Sequence, residues 1–215
     1  MPVVPGPVAI VGGTGHLGLP LARRLHRAGE RVLIGSRDAA RAESAAEDGG
    51  LGRTAGRANV AAVREAAVIV IAVPYEGHET TLRSLAQDLA GKPVIETTVP
   101  YDKATRSAHH PGGLSAAERA QQLAPGARIV AGFHTVSAVM LADLDRPAYG
   151  DVLLCGDDAG AKEIATALAR VIGMRPVDAG PLRSARTLEQ LAVLLFGLNR
   201  RYKRKDLGIT VAGLE

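Results

Sequence analysis

Four groups of residues have types and spacings that could do chemistry. The first is Gly12-Gly13-Thr14-Gly15-His16-Leu17-Gly18, in which Gly13-x-Gly15-x-x-Gly18 follows directly on the apolar run Val8-Ala9-Ile10-Val11. At that spacing Gly13 permits a tight turn, Gly15 lets the backbone approach a pyrophosphate, and Gly18 lets helix and strand pack closely. The N-terminus of the following helix then offers free N–H groups and a positive dipole end to the phosphates. Glycines can also serve a turn alone, but a strand before and a helix after point to dinucleotide binding, with Thr14, His16 and Leu17 in the same binding turn.

The second group closes the next strand. An NAD site places a carboxylate there, roughly 20 residues past the glycines, to grip the ribose 2′-OH. This chain has Gly35-Ser36-Arg37-Asp38-Ala39-Ala40-Arg41 instead. A hydroxyl and two arginines can hydrogen-bond and neutralise a 2′-phosphate, Arg in bidentate fashion, and Thr14 could add a second hydroxyl. These residues favour NADP. The alternative keeps Asp38 as a displaced NAD carboxylate and leaves Arg37 and Arg41 to solvate the next helix.

The third group, Val73-Pro74-Tyr75-Glu76, follows an apolar run and is expected beside the nicotinamide, or else as a simple proline turn. The fourth is Gly132-Phe133-His134-Thr135-Val136-Ser137. A histidine just past a strand's carboxyl end, with hydroxyls after it, is where a second substrate could meet the nicotinamide; a histidine satisfied by local backbone is the competing reading. His109-His110, near Asp102, lacks metal-ligand spacing, so no metal is expected and the loop reads as flexible and solvated. Cys155 reads as a small buried hydrophobe.

The elements that must position these groups alternate strand and helix. Strands are expected at 8–11, 31–35, 53–55, 67–73, 93–96 and 127–131, with helices at 19–28, 39–48, a segment ending at 66 with Asn59 as N-cap, and 115–123 capped by Ser115. Residues 97–113 are expected to be irregular. The fold class is α/β, a Rossmann-type doubly wound, mostly parallel sheet with a small C-terminal α/β domain. The NADP-binding domain is expected over 1–145. The C-terminal domain is expected over 146–215, contributing to the substrate cleft and a dimer contact, with strands at 151–155 and 175–177 and helices at 161–172 and 184–198. Leu188, Leu191, Ala192, Leu195 and Phe196 form one apolar face on the last helix, which predicts packing against a second subunit. Arg200-Arg201-Tyr202-Lys203-Arg204-Lys205 reads first as a solvated face, with attraction of an anionic substrate tail or weak nucleic-acid contact as functional readings.

Composition sets the limits. The chain has 215 residues, 47% hydrophobic, enough for a full α/β domain with an appendage. No apolar run is long enough to cross a bilayer, and the N-terminal segment lacks the basic region of a secretory signal. A single cysteine excludes an internal disulfide and fits a cytoplasmic setting. Lys and Arg exceed Asp and Glu by 26 − 22 = 4, and aromatics are only 3%, which suits a polyanionic small ligand better than base stacking on nucleic acid. None of Tyr75, Tyr101, Tyr149 or Tyr202 has a Lys four residues on, so the Tyr-x-x-x-Lys pair of short-chain dehydrogenases is absent.

Over almost its whole length the chain resembles the NADPH-dependent reductases of coenzyme F420, a deazaflavin (the F420H2:NADP+ oxidoreductases). The resemblance rests on the glycine turn, Gly35-Ser36-Arg37, Val73-Pro74-Tyr75-Glu76, His134-Thr135, Cys155-Gly156-Asp157-Asp158 and Asp178-Ala179-Gly180-Pro181-Leu182 with Ser184 and Arg186. Tyr75 stands where a Trp is expected, and residues 101–113 and the tail after Asn199 match poorly. The resemblance implies a homodimer that moves a hydride reversibly between NADP(H) and F420, from C4 of one ring to C5 of the other. It also implies that Thr14, Ser36, Arg37 and Arg41 hold the 2′-phosphate and that His134 lines the deazaflavin pocket. Two other readings stand beside it: an NADPH-dependent reductase of a flavin, ferric chelate or imine, and a non-enzymatic NADP sensor.

Overall fold

The computed structural model describes residues 4–214; residues 1–3, which open the segment read above for a secretory signal, and Glu215 lie outside them. The chain runs β1 (Val8–Val11), α1 (Gly18–Arg27), β2 (Val32–Ser36), α2 (Ala39–Asp48), β3 (Gly56–Ala58), α3 (Asn59–Glu65), β4 (Val68–Ile71), α4 (His78–Leu85) and β5 (Pro93–Glu96). A hairpin follows, β6 (Tyr101–Asp102) with β7 (Ser107–Ala108), then α5 (Ala116–Leu123) and β8 (Arg128–Gly132). The remainder is α6 (Ala138–Ala142), β9 (Asp151–Gly156), α7 (Ala159–Val171), β10 (Arg175–Asp178) and α8 (Ala185–Arg201).

Eight strands form one sheet in the order β10-β9-β8-β5-β4-β1-β2-β3. From β3 to β8 every neighbour is parallel, β9 runs against β8, and β10 pairs parallel with β9. Strands buried on both faces need apolar residues throughout, as β1 and β4 have. Val8 and Ile10 point into one core with Leu21, Leu25, Ala42 and Leu168, under α1, α2 and α7. Ala9 and Val11 point into the other with Val63, Leu82, Ala117 and Leu188, under α3, α4, α5 and α8. The chain order reverses at β1, between β2 and β4, and ligands of open α/β sheets bind at the strand carboxyl ends beside such a switch.

Four expectations need revision. The segment expected as a small C-terminal α/β domain over 146–215 adds its strands to the same sheet: β9 and β10 extend it, because Val152 and Leu154 pack into the core that already holds Val130. Pairing also covers the edge that β8 would otherwise expose. Residues 97–113 contain the β6–β7 hairpin, whose Tyr101 packs edge-on against Phe196 at 5.4 Å. Residues 53–55 make a 3-10 turn, with β3 after it, and Asn59 is the first residue of α3 while Ala58 occupies the cap. Helix α6 carried no sequence signal because it is only five residues long. It is held from outside. The buried Arg24 of α1 donates to the carbonyls of Leu141 and Met140, both at 2.9 Å, and to Asp143 and Arg146. A guanidinium thus satisfies the carbonyls that a helix end leaves open.

Candidate active site

The strand-to-helix turn after β1 is built for close approach. Gly12 is the left-handed residue, with φ of 79°, and a Cβ there would stand 2.6 Å from the Ala72 carbonyl. Gly13 has no such φ; its lack of a side chain matters because a Cβ would meet the Ile10 carbonyl at 2.7 Å. A Cβ on Gly18 would lie 2.6 Å from the Gly12 carbonyl, and one on Gly15 would lie 3.0 Å from the same oxygen. Helix α1 begins with no side-chain cap at Leu17. Leu19 N–H donates to the Gly15 carbonyl at 3.2 Å and Pro20 carries no N–H, so within the first turn the Gly18 N–H is the one open to an anion or solvent.

Ser36 is buried at the end of β2, beside the turn: Gly13 N–H donates to the Gly35 carbonyl at 3.0 Å. Arg37 and Arg41 are exposed there, and among the described residues neither guanidinium has an ion pair or hydrogen bond. Asp38 is engaged locally as the N-cap of α2, its Oδ1 accepting from Ala40 N–H at 2.9 Å and Arg41 N–H at 3.4 Å. On the other flank of the turn, Val73 Cγ1 would be 2.9 Å from a Cβ on Gly12, and Pro74 and Glu76 continue outward as exposed residues.

A cleft of about 300 Å3 opens from the glycine turn toward β8. His16 and Leu17 line one side, and Phe133, His134, Thr135 and Val136 line the floor. Leu195, Phe196, Asn199, Lys205 and Leu207 supply a further wall, so the C-terminal part of the chain completes the cleft. The turn that presents His134 is strained: Phe133 is buried with φ of 63°, a left-handed conformation rare for an aromatic residue. Ser137 then caps α6, its Oγ accepting from Met140 N–H at 3.2 Å. Both ring nitrogens of His134 and the Thr135 hydroxyl are buried without a hydrogen-bond partner. Leaving such groups unpaired costs about 1–3 kcal/mol each, so these three are left to a partner from outside the chain. Burial lowers the His134 pKa to about 4 against the opposing pull of Glu96, which keeps the imidazole neutral at pH 7.

Two buried acids behind this cleft carried no functional reading in the sequence. Glu96 ends β5, with Oε2 2.9 Å from His78 Nε2 and Oε1 accepting from Thr98 N–H at 2.9 Å. Burial alone would neutralise both, but each raises the charge of the other: Glu96 is held below and His78 above its usual range. The pair ties α4 to the end of β5, and Tyr75 stacks on His78 at 6.1 Å. Glu189 of α8 is fully buried and lies 2.8 Å from His110 Nε2, so His110 is anchored and not part of a loose solvated loop. Glu189 sits on the buried face of Ala185, Leu188, Ala192 and Leu195, and that helical spacing was the signal that could have found it. Burial pushes the Cys155 thiol up to about 12, in keeping with an inert core residue. Among the described residues no cluster of three His, Cys, Asp or Glu could hold a metal, and no helix is long and apolar enough to cross a membrane.

The structure thus gathers His16, Leu17, His134 and Thr135 in one cleft. It sets Gly13, Thr14, Gly15 and Gly18 at its entrance, Ser36, Arg37 and Arg41 on the β2 side, and Val73, Pro74 and Glu76 beyond β4. Residues 7–100 match the family described as NADP oxidoreductase, coenzyme F420-dependent. The chain is 37% identical to the F420-dependent NADP reductase of Methanocaldococcus jannaschii, over 97% of this chain and 99% of that one. It is 39% identical to that of Methanothermobacter marburgensis, over 96% and 98%. A solved structure from Arthrobacter sp. FB24, 24% identical, superposes with a TM-score of 0.81 over 97% of this chain and 100% of that one, which shows the same fold. With full-length identity at this level, the chain belongs to the family of F420-dependent NADP reductases.

Proposed function

We propose that the cleft between the glycine turn and His134 is where this chain passes a hydride between NADP(H) and coenzyme F420. The observation that carries the reading is the set of three buried, unpaired polar atoms of His134 and Thr135 on the floor of a cleft that starts at the dinucleotide turn. When both are bound, the nicotinamide and the deazaflavin supply the redox chemistry themselves, hydride moving between C4 of one ring and C5 of the other. The protein must hold the two rings face to face and keep water out.

The residues present fit both groups. Gly12, Gly13, Gly15 and Gly18 let the turn close tightly, since a Cβ on any of them would meet the chain's own backbone, and the start of α1, without a side-chain cap, would receive the pyrophosphate. Ser36 with the free guanidiniums of Arg37 and Arg41 suits a 2′-phosphate, and Thr14 lies in the adjoining turn. Val73, Pro74 and Glu76 border the nicotinamide side, with Thr98 Oγ1 donating to the Val73 carbonyl at 3.4 Å. A neutral His134 does not act as an imidazolium acid at pH 7; with the deazaflavin bound it would donate one ring N–H to a ring heteroatom, and Thr135 would add a hydroxyl beside it. Exposed Val139 and Phe196 on the cleft rim, with Leu194 on α8, suit a homodimer contact. The buried Cys155 thiol fits a reducing cytoplasm.

Single-turnover transfer from NADPH deuterated at C4 tests the reading. Deuterium is expected on the reduced deazaflavin, and His134→Ala is expected to slow the transfer step at least tenfold. Deuterium lost to water, or an unchanged transfer rate in His134→Ala, would contradict the roles given to the cleft and to His134 respectively.

A further inference from the structure

We infer that Lys205 binds the anionic side chain of F420 at the mouth of the cleft, an assignment that rests on the functional reading above. After α8 the chain turns back through Lys203, which has φ of 52°, and is fastened on both sides of Lys205. Ser137 Oγ donates to the Lys205 carbonyl at 3.0 Å, Tyr149 Oη donates to the Asp206 carbonyl at 2.6 Å, and Leu207 N–H donates to Asn199 Oδ1 at 3.2 Å. The same Ser137 caps α6, three residues after His134, so the tail and the cleft floor share an anchor.

The neighbouring charges are already used. Arg204 pairs with Asp206 at 3.1 Å, and Arg146 pairs with the same carboxylate at 3.3 Å. Lys205 lines the cleft, and its ammonium has no anionic partner or hydrogen bond among the described residues. A fixed backbone thus presents an unpaired cation to a space of about 300 Å3, which takes a planar tricyclic ring but not a whole coenzyme. The rest of F420, a phosphodiester followed by glutamyl carboxylates, has to leave by the mouth, and Lys205 stands there. Exposed Arg200, Arg201 and Lys203 extend the positive field outward. The phosphates of NADP are the other anions at hand, but their turn, with His16 and Leu17, forms a different wall.

The test compares F420 with the ribityl deazaflavin that lacks the phosphodiester and glutamyl groups, both reduced with NADPH by purified Lys205→Gln, Lys205→Arg and wild-type protein. The expected result is a fall of about fivefold in the kcat/KM ratio of F420 to the truncated deazaflavin in Lys205→Gln, carried by KM, with recovery in Lys205→Arg. The salt dependence of the F420 KM is expected to weaken in the Gln variant. An unaltered ratio, or a rise in the NADPH KM instead, overturns the assignment. Wild-type protein that reduces neither deazaflavin removes the functional reading and this inference together, whereas an active wild type with an unaltered ratio removes this inference alone.

Discussion

Replacing Glu189 by Gln isolates a buried acid that the fold holds in its protonated form. Glu189 is fully buried, accepts the Ala116 N–H at 2.9 Å, and faces His110 Nε2 at 2.8 Å. Burial raises its pKa from 4.5 to about 8, opposed by the Ala117 and Ala116 N–H groups and reinforced by Glu96 and Glu118. The folded chain therefore keeps this proton up to about pH 8, while the unfolded chain releases it near 4.5. The folded state binds more protons across that window, so this group's contribution to stability is full below pH 4.5 and is lost as the pH climbs toward 8. At about 1.4 kcal/mol per pH unit, the interval from pH 6.5 to 8 contributes about 2 kcal/mol. That interval also lies above the titration of His134, lowered to about 4, whose effect has the opposite sign. Gln keeps the acceptor for Ala116 and offers an N–H to His110, but it does not titrate. Urea unfolding of both proteins at pH 6.5 and 8.5 is the assay. Wild type is expected to lose about 2 kcal/mol more than Glu189→Gln over that range, and parallel losses within about 0.5 kcal/mol would refute the reasoning.

Gly18→Ala would set a Cβ 2.6 Å from the Gly12 carbonyl and 2.9 Å from Gly13 Cα, both backbone atoms that cannot swing away. NADPH affinity by titration calorimetry is expected to fall at least tenfold with a stability loss of about 1–3 kcal/mol, and an affinity within threefold of wild type would contradict this. Arg37→Ala is expected to lower the NADPH-to-NADH preference, as kcat/KM, by about tenfold or more, since charge-assisted bonds to phosphate contribute about 1.5–3 kcal/mol; an unchanged preference would return weight to Asp38 as the selecting group. Ser115→Ala removes a capping box in which Glu118 N–H donates to Ser115 Oγ at 3.1 Å and Ser115 N–H donates to Glu118 Oε2 at 2.9 Å. It is expected to cost about 1 kcal/mol in urea unfolding, and no loss would mean that tertiary contacts alone hold the start of α5.

Much of this arrangement was legible because it depends on local pattern. The uninterrupted apolar β4, the alternation of strand and helix, and the glycine spacing each follow from what a doubly covered parallel sheet and a phosphate turn demand. Ser36, Arg37 and Arg41 could be singled out because they depart from the carboxylate usual at that place. What was hidden depends on contacts distant in sequence. Helix α6 is held by Arg24, more than a hundred residues earlier, and no local signal announces it. That β9 would join β8 antiparallel depends on shared core packing, not on the strand's own residues. Gly12, one residue before the motif, is the left-handed position, since the spacing reports where side chains are forbidden and not which φ is positive. Glu96 looks like an ordinary surface acid until His78 is brought to it, and Glu189 shows only its place on the apolar face of α8 until His110 is brought to it.

The most direct measurement is the absorbance of oxidised F420 after mixing with purified protein and NADPH, with NADH in parallel. Rapid bleaching with NADPH and slow or no bleaching with NADH is expected. Bleaching at equal rates with both would keep the hydride transfer and discard the roles given to Ser36, Arg37 and Arg41. No bleaching with either, in protein that binds NADPH, would mean that the cleft does not pass a hydride to F420.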